Sequence, residues 1–257
     1  MSKLERILYL LSAKFTNISE WRSSLRALNK INADGIFTLN KEGISFYGID
    51  PNHIALLEVT FPKSSFIEFN SSQFIFGINV KDFLKSIIGI KKNDIVELII
   101  KRKNVLKINI NGELKNELNL SLIEESKANI AMPKIDVTSK ISLALDLLGD
   151  ILVDIEKESE QLMINSLENG IEFSGKGELE DNKINLKKGS VDLPLHDIEE
   201  ESISSYDIGF MAKIIRSIGK TCKIVNLEYG NQTPVKMLFE MPSMVKAEYY
   251  LAPKVKY

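Results

Sequence analysis

A six-residue pattern occurs twice in this chain and constrains the fold more than any other feature of the sequence. The pattern G-I-x-F-x-G lies at residues 43–48 and again at residues 170–175, about half a chain length apart. A short apolar run precedes each copy, which predicts a strand joined by a polar turn to a second strand. Because self-similarity of this kind marks a repeated structural unit, we expect the same hairpin in each half of the chain.

A second pair of segments supports the repeat. Residues 82–87 and 213–218 both have the apolar period of a helix, and an alternating strand-like run follows each of them. The two pairs lie in the same order and at nearly the same separation. The sequence therefore predicts two similar domains, preceded by a short extension and joined by a connector: an N-terminal extension at 1–12, domain 1 at 13–122, the connector at 123–136 and domain 2 at 137–257.

Each half is predicted to place two helices on antiparallel sheets, which is an α+β fold. The helices are expected near 19–31, 80–90, 144–156 and 210–219. The strands are expected near 13–17 and 137–143, and within 34–61, 73–79, 94–122, 161–193, 203–208 and 223–252.

Cysteine content and charge exclude several classes of protein. The single cysteine, Cys222, can form neither an internal disulfide nor a cysteine-rich zinc site, which favours a reducing compartment, the cytosol or the nucleus. The first residues have neither the cleavage pattern of a signal peptide nor the length of a membrane span, so we expect no membrane association. The formal net charge of −2 is unlike that of a typical nucleic-acid-binding domain, so any basic surface must come from local clustering.

Three of the four predicted helices carry basic residues away from their apolar stripe. On the first helix Trp21, Leu25, Leu28 and Ile31 form that stripe. Lysines and arginines usually lie on solvated faces, but their recurrence at corresponding places indicates a surface that attracts phosphates without reading base sequence. The basic residues are Arg22, Arg26, Lys30, Lys81, Lys85, Lys213, Arg216 and Lys220, with Lys91 and Lys92 just beyond the second helix.

The third helix differs from the other three. Asp146, Asp150 and Asp154 lie four residues apart on one face, and only Lys157 follows at its end. This helix is therefore expected either to stay away from DNA or to make the surface locally acidic.

Two segments resemble a known family. Residues 49–57, IDPNHIALL, are similar to the D-x-x-H-(V/I)-x-L segment of DNA sliding clamps, and residues 249–255, YYLAPKV, resemble their C-terminal Y-Y-L-A-P-(K/R)-(V/I). Residues 234–240 and 76–79 are similar to further segments of these clamps. The resemblance runs from about Ala13 to Val255 and is to the archaeal type of the proliferating cell nuclear antigen (PCNA) family.

The resemblance implies a trimeric ring of pseudo-sixfold symmetry that encircles double-stranded DNA and serves as a processivity factor. It implies no catalytic residue, no metal and no cofactor. The eight basic helix residues would face DNA without sequence specificity. Edge strands near 105–118 and 172–186 would join neighbouring subunits, and this pairing would also cover sheet edges that otherwise favour aggregation.

The resemblance also implies a pocket for short apolar motifs of partner enzymes, namely DNA polymerase, the clamp loader, flap endonuclease and DNA ligase. A concave apolar site with a few polar groups suits that task. The residues that match its lining are Ile49, His53, Leu56, Ile130, Met132, Pro133, Pro234, Tyr250, Leu251, Ala252 and Pro253. Core packing is the alternative role for Leu56 and Pro234, whereas exposure is expected for His53 and Met132.

Several alternatives stay open at the level of sequence. Residues 1–12, with Leu4, Ile7, Leu8 and Leu11 at helical spacing, could be an amphipathic helix or an unstructured leader. An enzyme is disfavoured because two histidines and one cysteine provide little material for a triad or a zinc site, and no phosphate-binding loop motif is present. A clamp-like subunit that closes a ring only with related chains is the other alternative, and it would fit the acidic helix.

Overall fold

The computed structural model describes residues 9–113, 115–124, 132–177 and 181–254. Their contacts divide the chain into two units. The first unit contains the described residues up to Gly48, those from Glu58 to Glu124, and Ser243–Val245. The second contains Ile49–Leu57, the residues from Met132 to Pro242, and those from Lys246 onward. The domain boundaries expected at 122 and 136 stay a prediction.

The N-terminal half of the chain contains nine described strands and two α-helices. The strands are β1 (Leu11–Phe15), β2 (Asp34–Asn40), β3 (Gly43–Ile49), β4 (Ala55–Pro62), β5 (Glu68–Ser71), β6 (Phe74–Asn79), β7 (Ile95–Ile100), β8 (Val105–Asn111) and β9 (Lys115–Ser121). The helices are α1 (Ile18–Leu28) and α2 (Val80–Ile87), and a short 3₁₀ turn lies at Lys63–Ser65.

The C-terminal half repeats the same order of elements. Its strands are β10 (Ser139–Ala144), β11 (Gln161–Leu167), β12 (Gly170–Lys176), β13 (Asp181–Lys187), β14 (Leu195–Ile198), β15 (Ser202–Asp207), β16 (Ile224–Tyr229), β17 (Val235–Glu240) and β18 (Lys246–Leu251). Its helices are α3 (Leu145–Glu156) and α4 (Ile208–Ile218).

Strand order confirms the repeat that the sequence predicted. The first unit contains the order β5-β1-β7-β8-β9, and the second contains its counterpart β14-β10-β16-β17-β18. The hairpin strands follow the order β4-β3-β2-β6 in the first half and β13-β12-β11-β15 in the second. Neighbouring strands pair antiparallel, for example β1 with β5 and β7, and β10 with β14 and β16.

The helices have the expected positions but differ at their ends. Helix α1 ends at Leu28, three residues before the predicted end, because the N–H groups of Lys30 and Ile31 donate to carbonyls three residues back and tighten the last turn. Helix α2 ends at Ile87 for the same reason, since the Ile90 N–H donates to the Ile87 carbonyl. Strand β1 begins at Leu11, two residues earlier than expected, because Leu11 already pairs with Ile100.

Residues 1–8 lie outside the described part of the chain. The alternatives of a helix or a leader for the extension 1–12 therefore stay open for those eight residues. Leu11, which the sequence assigned to the same apolar stripe, is a buried strand residue.

The first unit has an aromatic core around its one tryptophan. The Trp21 ring stacks on Phe61 at 4.1 Å and on Phe15 at 5.1 Å between ring centres. Phe46 and Phe83 also lie close to it. All five side chains are buried, which confirms that Trp21 lies on the buried side of α1. Its contacts with Phe15 on β1 and Phe61 on β4 join strands of two sheets.

The second unit contains several buried hydroxyl groups instead. The Tyr229 hydroxyl hydrogen-bonds the Ser166 hydroxyl, and the Tyr206 hydroxyl donates to the Thr233 carbonyl at 2.9 Å. The Ser204 hydroxyl donates to the Gly230 carbonyl at 2.8 Å. Each of these polar groups therefore has a partner in a place where an unpaired one would be costly.

The glycines of the repeated pattern have two different structural roles. A Cβ at Gly43 would lie 2.1 Å from the Phe61 carbonyl oxygen, and one at Gly170 would lie 2.2 Å from the Leu186 carbonyl oxygen. A Cβ at Gly48 or at Gly175 would instead meet a helix side chain, Leu28 at 2.6 Å or Ile155 at 2.4 Å. The first glycine thus allows close strand approach, and the last allows the helix to pack directly on the strand.

We predict that Gly43→Ala lowers the free energy of unfolding by more than about 2 kcal/mol. Gly43 has a φ of 152°, which costs a residue with a side chain about 1–3 kcal/mol, and the clash with the Phe61 carbonyl adds to that cost. Chemical denaturation monitored by tryptophan fluorescence measures the change. The matched control is Gly89→Ala, because a Cβ there meets nothing within 4 Å. Equal stabilities of the two variants would contradict the role of Gly43 in allowing close strand approach.

Candidate functional site

Helix α1 presents a basic stripe on its outer side. Arg22 and Arg26 are partly exposed and Lys30 is exposed, while Trp21 and Leu25 on the opposite side are buried. The one carboxylate of this helix, Glu20, is only 3% exposed. Its two oxygens accept hydrogen bonds from the Asn17 side chain and from the Ser243 N–H. The exposed charge of α1 is therefore entirely positive.

Arg22 makes contacts that the sequence did not suggest. Its guanidinium donates to the Ile87 carbonyl at 2.9 and 3.1 Å and also to the Ile90 carbonyl. Partial burial, and then the nearby charge of Arg26, lower the pKa of Arg22 from its usual value. These carbonyls lie at the end of α2, where a cation is favoured by unpaired acceptors and by the helix dipole. Arg22 therefore joins α1 to the end of α2, and its contact with DNA stays a prediction.

Helix α2 has an exposed basic side. Lys81 and Lys85 are exposed, and the Lys85 ammonium pairs with Asp82 of the same helix at 3.3 Å. Lys91 and Lys92 are exposed in the turn that follows. The helix begins at Val80 because the Asn79 side chain accepts the Asp82 N–H at 3.1 Å.

Helix α4 exposes the three basic residues that the sequence selected, but two of them have local contacts. The Arg216 guanidinium forms an ion pair with Glu156 of α3 at 2.8 Å. The Lys213 ammonium lies 5.0 Å from the centre of the Phe210 ring. Lys220 is exposed beyond the end of the helix. The pair with Glu156 could not be predicted from the sequence, because the two residues are far apart in the chain.

The acidic face of α3 is exposed as its spacing predicted. Asp146, Asp150 and Asp154 all lie on the surface, and Asp154 pairs with Lys157 at 2.8 Å. The opposite side of the helix, which includes Leu148 and Ile155, is buried.

The predicted partner pocket begins at a loop organised by Asp50. This carboxylate is only 3% exposed and was not among the predicted site residues. Its oxygens accept the N–H groups of Asn52 at 3.0 Å, Ile54 at 2.7 Å and Ala55 at 2.6 Å. His53, inside this loop, has a φ of 59° and is exposed. An aspartate that begins a turn and bonds the following N–H groups is a common device, so the residue could have been recognised from the sequence.

The C-terminal run, residues 249–254, lies beside this loop within the second unit. The Ala252 N–H donates to the Ile54 carbonyl at 2.8 Å. The Lys254 N–H donates to the Ser205 carbonyl at 2.7 Å, and its ammonium pairs with Asp207 at 3.1 Å. Asp207 also caps α4, because its other oxygen accepts the Phe210 N–H at 3.2 Å. Lys254 is thus attached both to β15 and to the start of α4.

All the predicted pocket residues that the structure describes belong to the second unit. Met132 is 37% exposed, as expected, whereas Leu251 and Leu56 are buried at 1% and 5% exposure. Ile49, Pro133, Pro234, Ala252 and Pro253 are partly exposed. Ile130 lies outside the described residues. Ile54, 36% exposed beside Ala252, adds an apolar side chain that the sequence reading did not include.

Tyr249 lies buried next to this surface. Burial, and then the charges of Asp50 and Asp207, raise the pKa of its phenol above the usual value. Among the described residues its hydroxyl has no hydrogen-bond partner. Burial is also the main cause that raises the pKa values of Tyr206 and Tyr229.

We predict that Asp50→Ala lowers the free energy of unfolding by about 1–3 kcal/mol, because three backbone N–H groups lose their acceptor. Thermal denaturation measures the effect. Asn52→Ala, which changes an exposed side chain of the same loop, should stay within about 0.5 kcal/mol of the parent. If Asp50→Ala left the free energy of unfolding unchanged, the loop would not need the carboxylate.

A second prediction concerns alkaline pH. Because the folded pKa of Tyr249 lies above its unfolded value of about 10, its contribution to stability is fully present below pH 10 and is lost as pH rises toward the folded pKa. Tyr249→Phe should therefore lose less stability than the parent above about pH 10, by up to about 1.4 kcal/mol per pH unit. Denaturation of both proteins between about pH 8 and 11 tests this, and parallel curves would contradict it.

Two negative findings apply to the described ranges. No group of three or more histidine, cysteine, aspartate or glutamate side chains there could hold a metal ion. Within the same residues, no helix is both long enough and apolar enough to cross a membrane.

Comparison with protein families gives two matches that together span the chain. Residues 10–139 match the model of the proliferating cell nuclear antigen N-terminal domain, and residues 129–254 match that of its C-terminal domain. Among curated proteins, a DNA polymerase sliding clamp of Cenarchaeum symbiosum is 29% identical over 245 residues, covering 95% of this chain and 98% of that protein. One from Thermococcus onnurineus is 27% identical over 248 residues, with 94% and 97% covered.

Solved structures show the same fold. The structure of PCNA from Thermococcus kodakaraensis matches with a TM-score of 0.89 at 20% identity, covering 95% of this chain and all of that one. A structure of PCNA from A. fulgidus, bound to the C-terminal region of FEN-1, matches with a TM-score of 0.85 at 19% identity and covers 96% and 99% of the two chains.

Proposed function

Because the chain belongs to the proliferating cell nuclear antigen family, we propose that it is one subunit of a sliding clamp that encircles duplex DNA and tethers DNA polymerase and other replication and repair enzymes. The observation that carries this proposal is the pair of family matches over residues 10–254, together with the duplicated strand order. The tethered enzymes would include the clamp loader, flap endonuclease and DNA ligase.

The free strands at the two sheet ends support assembly into a ring. Strand β9 ends one sheet and β13 ends another. Pairing between β9 of one copy and β13 of the next would satisfy the backbone groups of both edges. These strands, Lys115–Ser121 and Asp181–Lys187, overlap the segments expected from the sequence, 105–118 and 172–186.

Contact with DNA would be electrostatic and independent of base sequence. Six of the eight basic residues lie on α1, α2 and α4, and Lys30 and Lys220 follow the ends of α1 and α4. All eight are exposed or partly exposed. Phosphate attraction of this kind lets a ring stay on DNA and still move along it. The eight basic residues named from the sequence are the candidates for that contact.

The apolar surface around the Asp50 loop and the C-terminal run would bind the motifs of partner enzymes. Exposed Met132 and Ile54 lie on the second unit with the partly exposed Pro253 and Pro234. The FEN-1-bound structure of the A. fulgidus relative makes this kind of partner a natural one to test. We propose that the chain itself catalyses no reaction, since its two histidines and one cysteine offer little for catalysis. We propose the archaeal cytosol, or the nucleus of a eukaryote, as its compartment, because its cysteine usage fits a reducing environment.

A second candidate is a specialised subunit that closes a ring only with related chains. The exposed acidic face of α3 favours it, because this face departs from the basic pattern of the other helices. Light scattering of the purified chain separates the two. A mass near three times 29.0 kDa indicates a homotrimer, and a mass near 29.0 kDa that rises only with related chains indicates a heterotrimer.

The function itself is tested by primer extension on primed circular DNA with an archaeal polymerase and clamp loader. We expect the chain, alone or with its related subunits, to lengthen the products made before polymerase dissociates. Linear DNA with free ends should show much less effect, because a ring slides off. No stimulation on circular DNA under any subunit combination would overturn the proposal.

We predict that Met132→Asp weakens binding of a partner-motif peptide at least tenfold, about 1.4 kcal/mol, because a charge would enter an apolar contact surface. Titration of a fluorescent peptide from the C-terminus of an archaeal flap endonuclease measures this. Met244→Asp is the matched control, since Met244 is 68% exposed and belongs to the first unit. Equal loss in both variants would remove Met132 from the proposed pocket.

A further inference from the structure

The two helix pairs share a backbone plan but differ in the charge of their exposed sides. On α1, α2 and the turns that follow them, the exposed or partly exposed charges are seven basic side chains and two carboxylates, Asp82 and Asp94. The seven are Arg22, Arg26, Lys30, Lys81, Lys85, Lys91 and Lys92. We call this surface the first-unit helix face.

The corresponding surface of the second unit is balanced. On α3, α4 and the residues directly after them, Lys157, Lys213, Arg216 and Lys220 are exposed. Five exposed carboxylates accompany them: Asp146, Asp150, Asp154, Glu156 and Glu158. We call this surface the second-unit helix face.

The acids and bases of the second-unit helix face are mixed rather than segregated. Two of the four cations are within 2.8 Å of a carboxylate, in the pairs Arg216–Glu156 and Lys157–Asp154. Asp146 and Asp150 line a groove of about 400 Å³ between α3 and α4, and Arg216 and Lys220 line the same groove. A phosphate that approaches Lys220 from this groove therefore also meets a carboxylate.

The equivalent seam of the first unit is bridged without any acid. There Arg22 spans from α1 to the carbonyls at the end of α2, so the contact between the helices uses neutral backbone acceptors. On the first-unit helix face Lys85 pairs with Asp82 and Lys91 pairs with Glu113, which leaves five of its seven cations without a carboxylate partner among the described residues. Since the paired charges of the second unit are exposed, they contribute little to stability, but they do cancel one another as seen by a phosphate. Attraction that depends on releasing counterions from DNA needs net positive charge close to the phosphates, within about 10 Å at 0.1 M salt.

We propose that the first-unit helix face supplies the contact with the DNA backbone and that the second-unit helix face is an electrostatically neutral spacer. The inference rests on the proposed clamp function and narrows it. In a ring of three such chains, three basic patches alternate with three neutral ones. Lys213, Arg216 and Lys220 then leave the set of DNA-contacting residues, and Arg22 acts by holding α2 in place rather than by reaching a phosphate.

Two double charge reversals of equal size test the proposal. Arg26→Glu/Lys30→Glu changes the first-unit helix face, and Lys213→Glu/Lys220→Glu changes the second-unit helix face by the same net charge. Binding to a labelled duplex of arbitrary sequence is measured by fluorescence anisotropy from about 50 to 200 mM NaCl. We expect the first variant to lose at least tenfold in affinity, with a salt slope shallower by about two. The second should lose less than twofold, with the slope unchanged.

A gain of binding gives an independent test. Asp146→Lys/Asp150→Lys converts the second-unit helix face into a basic one and should tighten duplex binding, with a steeper salt dependence. Circular dichroism and solution mass verify that each variant folds and assembles as the parent does. If a glutamate variant does not fold, Arg26→Gln/Lys30→Gln and Lys213→Gln/Lys220→Gln replace the pair, with about half the expected effect.

The outcomes separate this inference from the proposed function. Equal losses from both reversals, or no gain from Asp146→Lys/Asp150→Lys, overturn the inference while leaving a working clamp. An unmodified protein that neither binds duplex with salt dependence nor stimulates polymerase on circular DNA overturns the proposed function instead.

Discussion

Close packing of a helix on a hairpin strand is the constraint on which each unit depends. The strand can approach only because it has no side chain at Gly48 in one unit and at Gly175 in the other. The helix contributes Leu28 or Ile155 at the same place. Because this contact sets the orientation of the helix on the strand, it also sets which helix residues face outward. The spacing of charged residues along the sequence therefore determines the charge of the exposed helix side.

The repeat made much of this architecture predictable. Glycines at fixed places in an apolar pattern predict the hairpins, and apolar residues at helical spacing predict the buried sides of all four helices, such as Trp21 and Leu25 on α1. The helix ends were less predictable. The predicted helices included residues 29–31 and 88–90, but in the structure these residues form tight turns after α1 and α2. Such turns depend on local hydrogen bonds rather than on the apolar period.

Contacts between residues distant in the chain could not be predicted from the sequence. Arg22 has the spacing of a surface cation, yet it donates to two carbonyls at the end of another helix. The sequence likewise indicates no partner for Arg216, but in the structure Glu156 of α3 lies 2.8 Å from its guanidinium. At the proposed pocket for partner motifs, the resemblance identified the apolar residues but not Asp207. The Asp207 carboxylate pairs with Lys254 and also caps the start of α4. A periodic pattern identifies the face on which a side chain lies, and only the fold identifies its neighbour.

The placement of Trp21 has a practical consequence for spectroscopy. It is the only tryptophan of the chain, and it is stacked among phenylalanines inside the first unit. Intrinsic emission excited at the red edge of the protein absorption band therefore reports on one half of the molecule. The other half contains the buried phenols of Tyr206, Tyr229 and Tyr249, whose ultraviolet difference signal follows their ionisation. The chain thus has a built-in optical probe confined to its first half, and no label is needed to learn when that half melts.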